Sequence, residues 1–255
     1  MSDTFSVADK VVVITGAGQG IGRNFAKSFA SGGARVVIAE RNLEKARAVE
    51  QEIAAGNGQA AVVETNVADP ESVAALGDSV ERLFGRADVL INNAAIFSTL
   101  EMRPFDQIPL AEWEEVLRVN VTGPFLCARA MLPLMRKNKW GRIINMASGA
   151  VTMGRPNYLH YIASKSALEG MTHSMARELG GDGITVNAVL PGATFTEIPR
   201  KTVTSEQKER IIAMQCIPRP QVPDDLVGVV LFLASEASAF TTGQSITVDG
   251  GATHP

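Results

Sequence analysis

The sequence predicts an α/β fold, a single doubly wound domain over residues 1–255 with a parallel sheet of about seven strands and helices on both faces. Three observations carry this. Runs such as KVVVIT (10–15) and ARVVIAE (34–40) are apolar almost throughout, as strands buried on both faces are. Segments of helical period lie between such runs. The alternation persists along the chain, and strand–helix–strand repeats close as a parallel sheet with crossover helices.

The elements follow in order. After KVVVIT, a helix is expected from about Ile21 to Ala30, stopped by Gly32-Gly33. ARVVIAE is the second strand, and NLEKARAVEQEIAA (42–55) an amphipathic helix with its acids early. AAVVETNV (60–67) is the third strand. DPESVAALGDSVERLFG (69–85) is a helix with Asp69 as its cap and Pro70 in its first turn. ADVLINNAA (87–95) is strand four, and a long helix covers roughly 111–137. GRIINMAS (141–148) is strand five, followed by a helix over 156–179. GITVNAVLPG (183–192) is strand six, PDDLVGVVLFLASEA (223–237) a helix, and QSITVDGG (244–251) the last strand. Residues 193–222 are polar and proline-containing and read as irregular. They leave the sheet at a carboxyl end, where ligands bind in such folds, so a lid is expected there.

Composition narrows the function classes. Hydrophobic residues make up 45% and charged residues 20%, with a net charge of −3. That balance gives no footing for nucleic acid or an anionic membrane. Cys127 and Cys216 form no disulfide framework, and no Cys/His spacing suits a metal. A reducing, cytoplasmic setting fits. MSDTFSVADK has two acids and no apolar centre, so it does not read as a signal peptide. No apolar stretch of about 18 residues is present to span a membrane.

TGAGQGIG (15–22) lies directly between the first strand and the first helix. Gly16, Gly20 and Gly22 remove Cβ where a backbone must turn sharply and approach a phosphate. The helix N-terminus then offers free N–H groups to a pyrophosphate. A glycine-rich turn alone is equally a plain tight turn; its place in the first strand-to-helix connection makes it a Rossmann-type dinucleotide loop. Glu40 ends the second strand. A carboxylate there accepts from both ribose hydroxyls and repels a 2′-phosphate, which favours NAD over NADP. Arg41 beside it could receive that phosphate, whereas Gln19 leaves the loop without a cation of its own.

HYIASKSALEG (160–170) places Tyr161 and Lys165 four apart, on one helix face. Such a pair is usually a solvated surface, but an ammonium beside a phenol also eases loss of its proton. Lowering a tyrosine from about 10 to near 7 takes about 4 kcal/mol. One cation at about 4 Å, in an effective dielectric near 20, supplies about 4 kcal/mol. Tyr158, the other tyrosine, has Ile162 four residues on and no cation partner, so it reads as a pocket wall or a core aromatic. His160, His173 and His254 show no partner pattern.

TGAGQGIG, NNAA (92–95), YIASK (161–165), the LPG turn (190–192) and SITVDGG occur in an order that resembles the short-chain dehydrogenase/reductase family over essentially the whole chain. The resemblance implies a catalytic set of Asn120, Ser148, Tyr161 and Lys165. Tyr161 would exchange a proton with the substrate oxygen, Ser148 would hydrogen-bond that oxygen, and Asn120 would hold a water in a relay to Lys165. It implies a dinucleotide lying along Gly16, Gln19, Gly20 and Ile21, past Glu40, Asn66, Val67, Asn93 and Ala94. The dinucleotide would reach Tyr161 and Lys165 beneath Pro191, Gly192, Thr194 and Thr196. Asn66 stands where many relatives carry an aspartate, and Ala95 where they carry a glycine.

The implied activity is NAD(H)-dependent interconversion of a secondary alcohol and a ketone. IPRPQVPDDL (217–226) is similar to the tail of bacterial aromatic secondary-alcohol dehydrogenases of this family. With Ile96, Phe97, Met153, Tyr158 and Met214 as candidate pocket walls, it points to a medium-sized, uncharged cyclic or aromatic substrate. Two alternatives stand beside this: an NADPH-dependent 3-oxoacyl-carrier-protein reductase, and a non-catalytic dinucleotide sensor. Apolar positions on several faces of the two long helices suggest burial against another subunit, and the resemblance implies a homotetramer.

Overall fold

The computed structural model describes residues 3–199 and 205–254. Its strands are β1 (Val11–Thr15), β2 (Arg35–Glu40), β3 (Gln59–Glu64), β4 (Val89–Asn92), β5 (Gly141–Met146), β6 (Ile184–Pro191) and β7 (Ser245–Val248). They form one seven-stranded sheet in the order β3-β2-β1-β4-β5-β6-β7, with every pairing parallel. Every residue of β1, β4, β5 and β6 is buried, whereas the edge strands β3 and β7 are partly open. The unbroken apolar runs therefore mark the middle of the sheet.

The helices are α1 (Gly20–Ser31), α2 (Leu43–Ala55), α3 (Pro70–Phe84), α4 (Leu110–Leu117), α5 (Gly123–Asn138), α6 (Ala150–Met153), α7 (Leu159–Leu179), α8 (Ser205–Ala213) and α9 (Asp224–Ala234). Two apolar cores fill the two sides of the sheet. One packs α1, α2 and α9 on it, the other α3, α5 and α7. The expected stop signals operate: Gly33 closes α1 at φ +83°, and the Asp69 carboxylate accepts from the Glu71 N–H at 3.0 Å.

Two expectations are corrected. The long helix expected over 111–137 is two helices joined by a π turn, Arg118–Thr122, which carries Asn120. A π turn widens the backbone locally, and such bulges are frequent at functional sites. The stretch over 193–222 is not wholly irregular, because SEQKERIIA forms α8. That segment holds helix formers and no proline, and prolines elsewhere in the stretch obscured it. Residues 200–204 of the expected lid lie outside the described residues. The lid's two ends are pinned together, since Phe195 N–H donates to Gln221 O at 2.8 Å and Thr194 bridges Gln221.

A polar ladder fixes α7 against the sheet. Asn92 Nδ2 donates to Asn145 Oδ1 at 2.9 Å, and Asn145 Nδ2 donates to Thr172 Oγ1 at 2.9 Å. These three buried residues join β4, β5 and α7. Buried amides that hydrogen-bond to one another fix the register of the elements that carry them.

Candidate active site

A cleft of about 690 Å³ opens along the carboxyl ends of the strands. It crosses the point between β1 and β4 where the strand order reverses, the position at which open α/β sheets bind ligands.

The glycine loop forms one end. Gly16 has φ +65°, and a Cβ on it would lie 2.8 Å from Ala94 Cα. Asn93 holds this approach together, its Nδ2 donating to Thr15 O at 3.0 Å and Gly16 O at 3.1 Å. Gly22 serves packing: a Cβ there would sit 2.3 Å from Gly16 O and 2.5 Å from Asn93 Nδ2. The Glu40 carboxylate accepts from Gly18 N–H at 3.1 Å and Asn42 N–H at 2.9 Å, so it shapes the loop as well as facing the cleft.

Gly20 departs from expectation. It is not a wall of the cleft, because Glu197 and Ile198 of the lid cover it. Glu197 Oε1 accepts from Gly20 N–H at 2.8 Å, at the N-terminus of α1. A carboxylate thus occupies the place where a pyrophosphate is expected, and the donors there fit an anion. With Glu40 at the end of β2, these residues fit a dinucleotide. The contact joins residues 177 apart, so no local pattern announces it. Lys45 is a second departure: its ammonium donates to Gln19 Oε1, bringing to the loop a cation that the loop itself lacks. Ile21, Asn66, Val67, Asn93, Ala94, Pro191, Gly192, Thr194 and Thr196 all face the cleft as expected. Asn66 Oδ1 accepts from Ala68 N–H at 3.2 Å.

The other end holds Ser148, Tyr161 and Lys165. Tyr161 is 8% exposed and stacks on Phe97, ring centroids 4.5 Å apart. Lys165 lies 4% exposed, with Nζ 5.8 Å from the Tyr161 ring centroid, and donates to Met146 O at 2.6 Å. Burial pulls the Lys165 ammonium down from 10.5 to about 8. Ser148 is buried two residues beyond β5, and its Oγ accepts from Ala150 N–H at 3.2 Å.

Asn120 is buried and does not line the cleft. Its Oδ1 accepts from Ile96 N–H at 2.8 Å, while Nδ2 donates to Ile96 O at 3.2 Å and Ser164 Oγ at 3.1 Å. Its amide therefore ties the chain after β4 to α7, next to Lys165.

Two further expectations change. Tyr158 is 1% exposed and lies behind Phe97, ring centroids 5.9 Å apart, so of the two readings offered the core aromatic holds. Ile96, Phe97, Met153 and Met214 do line the cleft. His160 has a partner after all: its Nε2 lies 3.2 Å from Glu112 Oε1 of α4, at ion-pair distance without aligned hydrogen-bond geometry. Arg103 approaches the other Glu112 oxygen at 3.7 Å. The pair joins α4 to α7 directly beside Tyr161, across a sequence distance that helical spacing does not report.

The family model described as Enoyl-(Acyl carrier protein) reductase matches residues 16–253. The chain is a short-chain dehydrogenase/reductase. A 3-oxoacyl-[acyl-carrier-protein] reductase of Synechocystis is 39% identical over 245 residues, covering 95% of this chain and 96% of that protein. Among solved structures of similar proteins, a gluconate 5-dehydrogenase from Burkholderia cenocepacia in complex with NADP and tartrate aligns with a TM-score of 0.92. It shares 33% identity and covers 98% of this chain and 97% of its own. A 7α-hydroxysteroid dehydrogenase complexed with NADH and 7-oxo glycochenodeoxycholic acid aligns at 0.93 with 33% identity and the same coverage. The member described here thus carries the family's Tyr-x-x-x-Lys pair inside the same cleft as its glycine loop.

Proposed function

We propose that this protein is an NAD(H)-dependent oxidoreductase that interconverts a secondary alcohol and a ketone. The observation that carries the reading is the shared cleft: a buried tyrosine–lysine pair faces the same space as a glycine loop already holding an anion at its helix N-terminus. The nicotinamide, when bound, supplies the hydride acceptor or donor. Tyr161 takes the alcohol proton during oxidation and returns it during reduction. At 5.8 Å from the ring, the Lys165 charge stabilises a phenolate by about 3 kcal/mol in an effective dielectric near 20. Ser148 orients the substrate oxygen. Asn120 acts at one remove, holding the Ile96 backbone and Ser164 in place. An uncharged cyclic or aromatic body fits between Phe97, Met153 and Met214, where the reacting carbon would lie.

Glu40 supports NAD, because its carboxylate faces the cleft where a 2′-phosphate would have to sit. Two observations favour a second reading, an NADPH-dependent 3-oxoacyl-carrier-protein reductase. Lys45 and Arg41 add positive charge next to Glu40, and relatives with that activity or with bound NADP are similar over nearly the whole chain. A non-catalytic sensor is disfavoured because Ser148, Tyr161 and Lys165 all keep their side chains in the cleft. Exposed Phe105, Leu110, Phe125 and Leu159, on or beside α4, α5 and α7, support a homotetramer, which light scattering would measure. No helix among the described residues is long and apolar enough to cross a membrane, and a cytoplasmic setting is part of the proposal.

The test is a panel of secondary alcohols and ketones run with each cofactor, followed by reduced-nicotinamide absorbance. Turnover of small cyclic or aromatic ketones with NADH is expected. Turnover confined to oxoacyl thioesters with NADPH would establish the second reading instead.

A further inference from the structure

We propose that the substrate carries a carboxylate at the end remote from its reacting carbon, and that Arg155 and Arg210 receive it. This rests on the alcohol–ketone reading above and departs from the wholly uncharged substrate expected from the sequence.

Arg155, in the turn before α7, and Arg210, on α8, both line the substrate end of the cleft. Arg210 owes its direction to helix geometry. Gln207, Arg210, Ile211 and Met214 all line the cleft, and their spacing of three, four and seven is one helix face. Glu206 and Glu209 of the same helix are not among the lining residues. Arg155 is held differently, its guanidinium carbon 4.9 Å from the Tyr158 ring centroid. Tyr158 is buried against Phe97, and Phe97 stacks on Tyr161. The cation is therefore carried on a packed aromatic platform two rings from the catalytic phenol.

The negative charges of the cleft are engaged elsewhere. Among the described residues, its only acids are Glu40 and Asp249. Glu40 sits at the glycine-loop end, bonded to two backbone N–H groups. Asp249 accepts from the N–H groups of Gly251, Ala252 and Thr253 and from the Thr253 hydroxyl. No ion pair to an acid is formed by Arg155 or Arg210 among the described residues. Two arginines thus line a partly apolar chamber in which no carboxylate among the described residues pairs with them. Guanidinium forks match a carboxylate in geometry as well as charge. Phe97, Met153 and Met214 line the same cleft as these arginines and Tyr161, so the matching ligand has a polar carbinol or ketone, an apolar body and an acidic tail.

The experiment pairs cyclic ketones bearing a carboxylate on tails of one to five methylenes with their neutral carboxamides. Each is reduced with NADH and with NADPH by the wild type and by Arg210→Gln, Arg155→Gln and Arg210→Lys. The best carboxylate is expected to exceed its amide at least tenfold in kcat/KM, mainly through KM. That ratio should fall to near one in Arg210→Gln, fall partly in Arg155→Gln, and recover partly in Arg210→Lys. Arg210 is exposed on α8, so its replacement does not threaten folding. Equal turnover of acids and amides by the wild type, or an acid preference untouched by both glutamine variants, would overturn this proposal while leaving the alcohol–ketone reading intact. Failure of every ketone and alcohol with both cofactors would overturn that reading and this proposal with it.

Discussion

Lys165 is the residue whose environment makes the sharpest quantitative prediction. The residue is 4% exposed and its ammonium donates to a backbone carbonyl, Met146 O. Burial lowers it from 10.5 to about 8. A difference of that size corresponds to about 3 kcal/mol between the two protonation states. The sign follows from proton uptake. Between about pH 8 and 10.5 the unfolded chain holds the proton and the folded protein does not, so stability rises with pH. The contribution is complete above 10.5 and is lost as pH falls through about 8. The perturbation is Lys165→Met, which removes the titration and keeps much of the volume. Urea unfolding of both proteins between pH 7 and 10 should show the wild type gaining about 2–3 kcal/mol relative to the variant, with groups common to both cancelling. At pH 7 the variant should equal or exceed the wild type in stability, because the cost of stranding Met146 O, about 1–3 kcal/mol, is offset by relief of the buried charge. Parallel stability curves across that range would refute the reasoning and place the ammonium in contact with water.

Other outcomes follow from the same geometry. Glu197→Gln should tighten NADH binding about twofold to fivefold by fluorescence titration, because it weakens a half-exposed anion that competes for Gly20 N–H; weaker binding would contradict the competition. Glu40→Ala should raise the ratio of NADPH to NADH use at least about tenfold, as Arg41 and Lys45 remain to receive a 2′-phosphate. An unchanged ratio in steady-state kinetics would remove Glu40 from cofactor choice. Gly22→Ala should destabilise the fold by about 1–3 kcal/mol or more, since its Cβ meets Gly16 O and Asn93 Nδ2, and calorimetry would show the lowered Tm.

Much of this molecule was legible from local pattern. The unbroken apolar runs of β1, β4, β5 and β6 announce strands covered on both faces, and the turn residues mark where they stop. Tyr161 and Lys165 were legible because one helical turn relates them. What escaped depends on long sequence separations. Glu197, beyond β6, reaches Gly20, beyond β1, across 177 residues of sequence, Lys45 reaches Gln19 from the next helix, and Glu112 meets His160 between two helices. The π turn at Asn120 escaped for another reason: RVNVT has no residue that forbids an α-helix, and the contacts Asn120 makes there, with Ile96 and Ser164, are remote in sequence. Arg155 and Arg210 carry no motif, and only folding turns them toward one chamber.

The most direct test asks whether Tyr161 is the proton-transfer group of a nicotinamide enzyme. Tyr161→Phe keeps the ring on Phe97 and removes only the hydroxyl. NADH should still bind with an unaltered Kd, while alcohol oxidation and ketone reduction should fall about 100-fold to 10,000-fold in kcat. A variant that binds NADH normally and turns over at the wild-type rate would contradict the central claim.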